Sequence, residues 1–140
     1  TNKMTERVTS SFESQSMMKT LRARIHKVLK GKVSIEVPLL PSMLQQQGYA
    51  HAGLAFSIGD SAAGYSALTV MPENQEVMTA EIKINLLAPA DGELLRAEGK
   101  VVKNGKRLVI VTSEIYALKN RKKKLIALMQ GTMIPVQMKT

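Results

Sequence analysis

The chain has 140 residues, of which 44% are hydrophobic, and this suits one domain with its own hydrophobic core. It contains no cysteine, so disulfides and thiolate chemistry are excluded. Its 20 Lys and Arg outnumber its 11 Asp and Glu, and the resulting formal charge of +9 attracts polyanions. With two Phe, three Tyr and no Trp, few aromatic platforms exist for stacking bases, so nucleic acid is not the favoured polyanion.

The N-terminal part predicts a frayed segment, a short helix and a β-hairpin. Residues 1–11 are polar and are expected to be frayed, and they lack a basic-then-apolar leader pattern, which predicts a cytoplasmic location. Apolar residues over 12–21 predict the helix. Alternating residues over 23–30 and 33–37, with a turn at Gly31-Lys32, predict the hairpin. His26 has no second ligand at metal spacing, so we interpret it as structural.

The stretch from His51 to Pro72 predicts one long buried helix at the centre of the fold. Small residues recur in steps of three or four, which predicts a helix face that other backbone can approach closely. The glycines, the serines and Asp60 favour a buried helix over a membrane span. Asp60 is the only formally charged residue of the stretch. A carboxylate there must be partnered, solvated by a cleft or altered in its ionisation, so Asp60 is the first candidate for chemistry.

The rest of the chain predicts a succession of β-strands joined by short turns, and these strands should therefore run antiparallel. The strands are expected over residues 77–87, 93–103, 107–118 and 125–136. Turn residues separate them at 89–92, at Asn104-Gly105, which is a strong two-residue hairpin signal, and at the basic run 119–124. One long helix against such a sheet gives an α+β architecture in which the sheet wraps the helix.

Three stretches carry motifs of one family in the same order and spacing. Gln45–Gly53 (QQQGYAHAG), followed by Asp60, is similar to a Q-x-x-G-x-x-H-G-G motif with an acid nine residues after the histidine. Thr79–Ala90 is similar to T-x-x-L-x-x-N-F-L-x-P-A, and Gly131-Thr132 matches a G-T pair. In these stretches the chain resembles the hotdog-fold acyl-CoA thioesterases, in particular the phenylacetic-acid-degradation branch.

The resemblance implies one hotdog domain over residues 1–140, with a core at about 23–137. In that fold an antiparallel sheet wraps one long central helix, and a short helix precedes it. The implied activity is hydrolysis of an acyl-CoA thioester to a free acid and coenzyme A, with no metal and no cofactor besides the coenzyme A of the substrate. Asp60 would be the general base or the direct nucleophile.

The resemblance also implies roles for the residues that surround the thioester. The N–H of Ala52, with Gly53 beside it, would polarise the thioester carbonyl at the helix start. Ala52 replaces the first of the family's two glycines, and a backbone donor does not require glycine. Thr79 would offer a hydroxyl to the water or carboxylate from the second subunit. Gln45 would contact the thioester side of the cleft, and His51 would position the substrate or simply cap the helix.

The resemblance implies a homodimer or a dimer of dimers, and the spacing of these residues favours a dimer. In related enzymes the carboxylate meets the donor across a dimer interface, and Asp60 lies two turns of helix from Ala52, farther than one side chain easily bridges. The resemblance also implies that basic residues at the turns anchor the coenzyme A phosphates, although such residues are commonly solvated. The candidates are Lys103, Lys106, Arg107 and Lys122.

Two other functions stay open at this stage. The first is a hotdog protein that binds acyl-CoA without hydrolysing it, which Ala52 keeps in consideration and Asp60 argues against. The second, less favoured, is a basic nucleic-acid-binding module, which requires the lysines to form one continuous face. The nine methionines and few aromatic residues suggest an adaptable apolar tunnel for aliphatic acyl groups.

Overall fold

Helices and strands cover most of the chain. The computed structural model describes residues 2–137. The helices are α1 (Lys3–Glu13), α2 (Ser16–Leu21) and α3 (Ala52–Leu68), with a 3₁₀ turn at Pro41–Met43. The strands are β1 (Arg24–Leu29), β2 (Lys32–Pro38), β3 (Gln75–Leu86), β4 (Leu94–Asn104), β5 (Val109–Lys119) and β6 (Lys122–Gln137). The predicted α+β fold, with one long helix among antiparallel strands, is confirmed.

The six strands form one antiparallel sheet in the order β1-β2-β4-β5-β6-β3. Although β3 and β4 follow each other along the chain, β3 pairs with β6, with Thr79 opposite Met133 and Ile84 opposite Met129. The connection between β3 and β4 therefore crosses two strands. As a result β3 forms one edge of the sheet and β1 the other.

Helix α3 packs on one face of this sheet. Every residue from Ala62 to Leu68 is buried, as expected for a helix that is apolar on all sides. A side chain at Gly59 would overlap Met129, and one at Gly99 of β4 would overlap the carbonyl of Ala62. The small residues thus allow helix and sheet to approach closely, as predicted. No helix within residues 2–137 has the length and apolar character needed to cross a membrane.

The N-terminal prediction was wrong in part. Residues 3–11, expected to be frayed, belong to α1, and the single helix predicted over 12–21 is divided between the end of α1 and α2. The side chain of Asn2 caps α1 by accepting a hydrogen bond from the N–H of Thr5 at 2.8 Å. Val8 and Phe12, one turn apart, are buried in the core. These two apolar positions hold a helix that is otherwise polar.

Arg7 ties α1 to the far end of α3. Its guanidinium donates to the carbonyl of Leu68, the last residue of α3, and to the carbonyls of Met71, Pro72 and Gln75 beyond it. Carbonyls at the C-terminus of a helix lack partners inside the helix, and the helix dipole favours a positive charge there. The bond therefore fixes α1 against the body of the protein.

The turns between strands differ in detail from the prediction. Asn104 pairs with Val109, so residues 105–108 form a four-residue loop in place of the two-residue Asn104-Gly105 turn. At the next hairpin, strand pairing reaches Lys119 opposite Lys122. The expected six-residue basic turn is therefore a two-residue turn, whose positive φ angles of 50° and 66° at residues 120 and 121 are those of a tight hairpin.

Candidate active site

Two clefts open along α3 and divide the predicted site residues between them. The first cleft, about 550 Å³, lies at the N-terminus of α3 and is lined by Gln45, His51 and Ala52 among others. The second cleft, about 190 Å³, lies farther along the helix and contains Asp60 and Thr79. At 1.5 Å per residue, Ala52 and Asp60 are about 12 Å apart along the axis. One protomer does not bring the predicted donor and the predicted carboxylate together.

His51 caps the N-terminus of α3. Its backbone is extended, with φ −61° and ψ 138°, and its Nδ1 accepts a hydrogen bond from the N–H of Gly53 at 2.8 Å. A ring nitrogen that accepts carries no proton, so in the neutral imidazole the proton lies on Nε2. A side chain at Gly53 would lie 3.0 Å from Nδ1, so glycine leaves room for the ring. Because His51 uses the Gly53 N–H, Gly53 supports the cap and offers no second donor.

Ala52 is the first residue of α3 and is exposed. The next N–H groups are occupied, that of Gly53 by His51 and that of Leu54 by the carbonyl of His51 at 2.9 Å. Among residues 2–137, no acceptor pairs with the N–H of Ala52. Donors in the first helical turn, reinforced by the helix dipole, suit an oxygen that develops negative charge.

Gln45 lies on the wall of the first cleft with its orientation fixed by its own loop. Its side-chain Oε1 accepts from the N–H groups of Gln47 at 2.6 Å and Tyr49 at 3.2 Å. These bonds occupy the amide oxygen, so the group that Gln45 can offer to a ligand is its NH₂ donor. Apolar side chains, including Leu86 and Leu87, make up much of the remaining wall.

Asp60 is half-buried on α3, at the second cleft. The hydroxyl of Thr79 on β3 donates to its Oδ1 at 2.8 Å. Both residues belong to the same chain, so a dimer would receive the carboxylate and the hydroxyl of one site from one subunit. The sequence predicted that a carboxylate in this apolar helix must be partnered, solvated by a cleft or altered in its ionisation. In the structure it is both partnered, by Thr79, and open to a cleft.

The second cleft contains polar side chains that sequence reasoning missed. They are Ser11, Gln15, Ser61 and Tyr65. Ser61 and Tyr65 are four residues apart, so their side chains share one face of α3, and this spacing was available in the sequence. Ser11 and Gln15 come from the N-terminal helices, whose position depends on long-range contacts, so no local pattern indicated them.

Comparisons with known proteins identify the family of the chain. The sequence model of the thioesterase superfamily matches residues 47–124, which is more than half of the chain. The chain belongs to the thioesterase superfamily. Two proteins of Saccharolobus solfataricus, both named as inferred esterases, are similar to this thioesterase. One is 30% identical over 102 residues, 73% of this chain and 72% of the relative, and the other is 28% identical over 109 residues, 78% and 72%.

Solved structures share its fold. A thioesterase family protein from Silicibacter pomeroyi has a TM-score of 0.94 and 37% identity, covering 96% of this chain and 99% of that one. The PaaI protein of the E. coli phenylacetic acid degradation operon has a TM-score of 0.85 and 22% identity, covering 95% and 93%. A Bacillus halodurans protein crystallised with CoA has a TM-score of 0.79 and 19% identity, covering 99% and 97%. The thioesterase has the hotdog fold predicted from its motifs.

The four predicted phosphate-binding residues of the thioesterase do not form one cluster. Lys103, Lys106 and Arg107 lie at the β4–β5 connection and Lys122 at the β5–β6 turn. The intervening β5 has 11 residues, about 33 Å at the rise of a strand. Within one protomer, residues 2–137 therefore do not bring these two basic groups into one compact patch, which weakens the nucleic-acid alternative.

Lys122 is the one of the four that lies near a cleft of the predicted site. With Lys119 and Lys124 it lines a third cleft of about 380 Å³, which shares Pro89 with the first cleft. Lys119 is paired with Asp91 at 2.8 Å. The positive charge of Lys122 and Lys124 therefore lies at the rim of the donor-bearing cleft.

The expected methionine-lined tunnel is absent from the two clefts that hold site residues. The residues that line them include no methionine. Met129 and Met133 are instead fully buried between α3 and the sheet, where Met129 occupies the space above Gly59. The methionines fill the core, and the preference for aliphatic over aryl acyl groups that was inferred from them loses its basis.

Proposed function

We propose that this thioesterase hydrolyses acyl-CoA to a free carboxylic acid and coenzyme A, at a site shared by two copies of the chain. The observation that carries the proposal is the division of the chemistry between the clefts. Asp60, held by Thr79, faces one cleft, and the N–H of Ala52 points out of the start of α3 at the other. Hydrolysis needs both groups at one carbonyl, so a separation of about 12 Å along the helix favours a composite site.

The exposed edge of the sheet supports a dimer. Along and just after β3, the side chains of Met78, Leu86 and Leu87 are 56%, 58% and 52% exposed. An apolar sheet edge is a ready-made pairing surface. If two β3 strands pair antiparallel about a two-fold axis, the Thr79 end of one strand lies beside the Leu86 end of the other. The second cleft of one copy would then lie beside the first cleft of its partner. The dimer of dimers stays a prediction.

The shared site supports a simple hydrolytic sequence. The thioester carbonyl oxygen accepts a hydrogen bond from Ala52 of one subunit, and such a donor is worth about 3–4 kcal/mol in the transition state. Asp60 of the other subunit either takes a proton from the attacking water or attacks the carbonyl carbon itself. Collapse of the tetrahedral intermediate then releases the coenzyme A thiolate. In the water route this step gives the free acid directly, and the proton held by Asp60 passes to the thiolate. In the direct route it leaves a mixed anhydride on Asp60, which a water molecule then hydrolyses to release the free acid and restore the carboxylate. The Thr79 hydroxyl keeps the carboxylate oriented in either route.

The first cleft would hold the thioester and the adjoining part of coenzyme A. The NH₂ of Gln45 and the capped ring of His51 would position the substrate beside Ala52. Lys122, at the rim, would attract the phosphates of the nucleotide. Lys103, Lys106 and Arg107 would contribute only from the other subunit, because they lie at the far end of β5.

Release of free thiol from a panel of short, medium, long and aryl acyl-CoAs tests this proposal. The parent should turn over at least one substrate, and Asp60→Asn should lower kcat at least about a hundredfold, the scale of a lost general base. Glu114→Gln, on the sheet face away from α3, is the matched control and should retain parental activity. Tight acyl-CoA binding without turnover in the parent would instead support a binding protein, and an active Asp60→Asn variant would remove Asp60 from the chemistry.

A further inference from the structure

The second cleft is closed by the N-terminal helices. Ser11 of α1 and Gln15, which precedes α2, line it together with Tyr65 of α3. The Tyr65 hydroxyl lies 3.1 Å from the Ser11 hydroxyl and accepts a hydrogen bond from Gln15 Nε2 at 2.5 Å. The Ser61 hydroxyl lies 3.5 Å from Gln15 Oε1. Gln15 is thus held between two residues of α3, and the proposed hydrolysis gives it no role.

The cleft runs from the carboxylate to this polar wall. Asp60, Ser61, Gly64 and Tyr65 share one side of α3, and the step from Asp60 to Tyr65 is about 7.5 Å along the helix axis. A volume of about 190 Å³ has room for roughly six groups of the size of water, each about 30 Å³. If the acyl carbonyl lies at Asp60 and the chain enters this cleft, the chain would meet the wall after about six of its atoms.

The wall resists displacement for two reasons. Its polar groups bond to one another, and an apolar chain that separated them would leave donors and acceptors without partners. The helix that carries it is also anchored, by Val8 and Phe12 in the core and by Arg7 at the end of α3. Long chains therefore cannot enter the cleft without disrupting this network.

We infer that Gln15 is a specificity-determining residue that ends the acyl-binding cleft and restricts the enzyme to short acyl chains. The inference rests on the proposed acyl-CoA hydrolysis and adds its substrate class. It also gives the N-terminal helices a function, because they supply the wall that the hotdog core itself does not contain.

The test is kcat/KM for saturated straight-chain substrates from acetyl-CoA to palmitoyl-CoA. The parent should lose activity steeply beyond about hexanoyl-CoA, in line with the six-group estimate. Gln15→Ala should raise the ratio of kcat/KM for decanoyl-CoA to kcat/KM for acetyl-CoA at least about tenfold, since one methylene in a pocket changes kcat/KM about 10–200-fold. Gln15→Met keeps the length of the side chain but loses its hydrogen bonds with Tyr65 and Ser61, so it should move the limit to longer chains by less than Gln15→Ala does. Ser14→Ala, whose hydroxyl donates to the Ser10 carbonyl, is the neighbouring control.

The outcomes separate this inference from the proposed function. Equal turnover of hexanoyl- and palmitoyl-CoA by the parent, or a parental profile in Gln15→Ala, would overturn the inference and leave hydrolysis standing. A parent that hydrolyses no acyl-CoA would overturn the proposed function. Calorimetric binding of the same panel would then decide whether Gln15 limits chain length. Thermal melting of each variant identifies any change that comes from unfolding.

Discussion

The two clefts along α3 differ in what each one lacks. The first is larger and mostly apolar, and it has donors at a helix N-terminus but no carboxylate among its lining residues. The second is small and polar, and it has Asp60 with its Thr79 partner. Under the proposed function, this difference means that one protomer would carry two half-sites on a single helix. Experiments should therefore ask which subunit supplies each group, as well as which group is needed.

The largest expected effect comes from removing the donor of the first cleft alone. Ala52→Pro deletes one N–H at the first position of α3, where proline is well tolerated, and the extended backbone of His51 suits a following proline. We expect kcat to fall about 10²–10³-fold, as for loss of an oxyanion donor, with little change in melting temperature. Steady-state kinetics and thermal melting check both expectations, and Ala52→Gly, which keeps the N–H, is the control.

Mixing variants decides whether the half-sites join across two subunits. A dimer of one Ala52→Pro chain and one Asp60→Asn chain has one intact composite site. Random pairing makes half of the dimers mixed, and each mixed dimer has one of its two sites intact. Co-refolded chains should therefore recover about a quarter of parental activity. Recovery near zero in dimers that are shown to be mixed would place both groups of a site in the same chain and contradict the shared site.

A smaller effect is expected within the second cleft. Thr79→Val keeps the shape of the side chain but removes the hydroxyl that donates to Asp60 at 2.8 Å. A hydrogen bond to a charged group is worth about 1.5–3 kcal/mol, so kcat should fall roughly tenfold to a hundredfold while KM stays near the parental value. Thr79→Ser should restore most of the rate. An unchanged kcat in Thr79→Val would mean that the carboxylate needs no partner.

The first cleft was the more predictable of the two from the sequence. Its predicted site residues lie within one continuous segment, Gln45–Gly53, and the helical periodicity that begins there placed His51 and Ala52 at a helix start. Asp60 could be singled out because a lone charge in an apolar helix needs a reason. The long helix and the antiparallel strands were likewise encoded in local periodicity.

The second cleft depends on contacts between distant segments, and its wall could not be predicted. Gln15 meets Tyr65 because the preceding helix is anchored in the core by Val8 and Phe12 and at the end of α3 by Arg7. A mostly polar segment gave no sign of these contacts. The pairing of β3 with β6 is equally non-local, because strand order depends on how the chain crosses the sheet. Local patterns therefore predicted the long helix and the first cleft, and the family motifs indicated Asp60 with Thr79, whereas the wall of the second cleft and the strand order, which depend on tertiary packing, were not predicted.

A third region, on the sheet face away from both clefts, allows effects of acid on the stability of the fold to be separated from effects on activity. Glu36 of β2 has a side chain only 6% exposed, between Arg24 and Arg96 at 2.8 and 2.6 Å. Burial alone would raise the pKa of Glu36, but the hydrogen bonds from both arginines and the charge of nearby His26 outweigh burial and hold that pKa below its ordinary value. The ionised carboxylate therefore stabilises the folded state.

The smallest effect on catalysis is expected from Glu36→Gln. Its kcat at neutral pH should equal that of the parent, while the free energy of unfolding should fall by about 2 kcal/mol, the scale of a charged hydrogen bond. Since the native pKa is lowered, the contribution of Glu36 is complete above the unfolded value of about 4.3 and is lost as pH falls through the native pKa. The melting temperatures of variant and parent should therefore converge in acid. A difference in melting temperature that stays constant at every pH would contradict this. Convergence would show at which acidic pH the loss of Glu36 destabilises the fold, so that any loss of activity at higher pH could be assigned to the clefts.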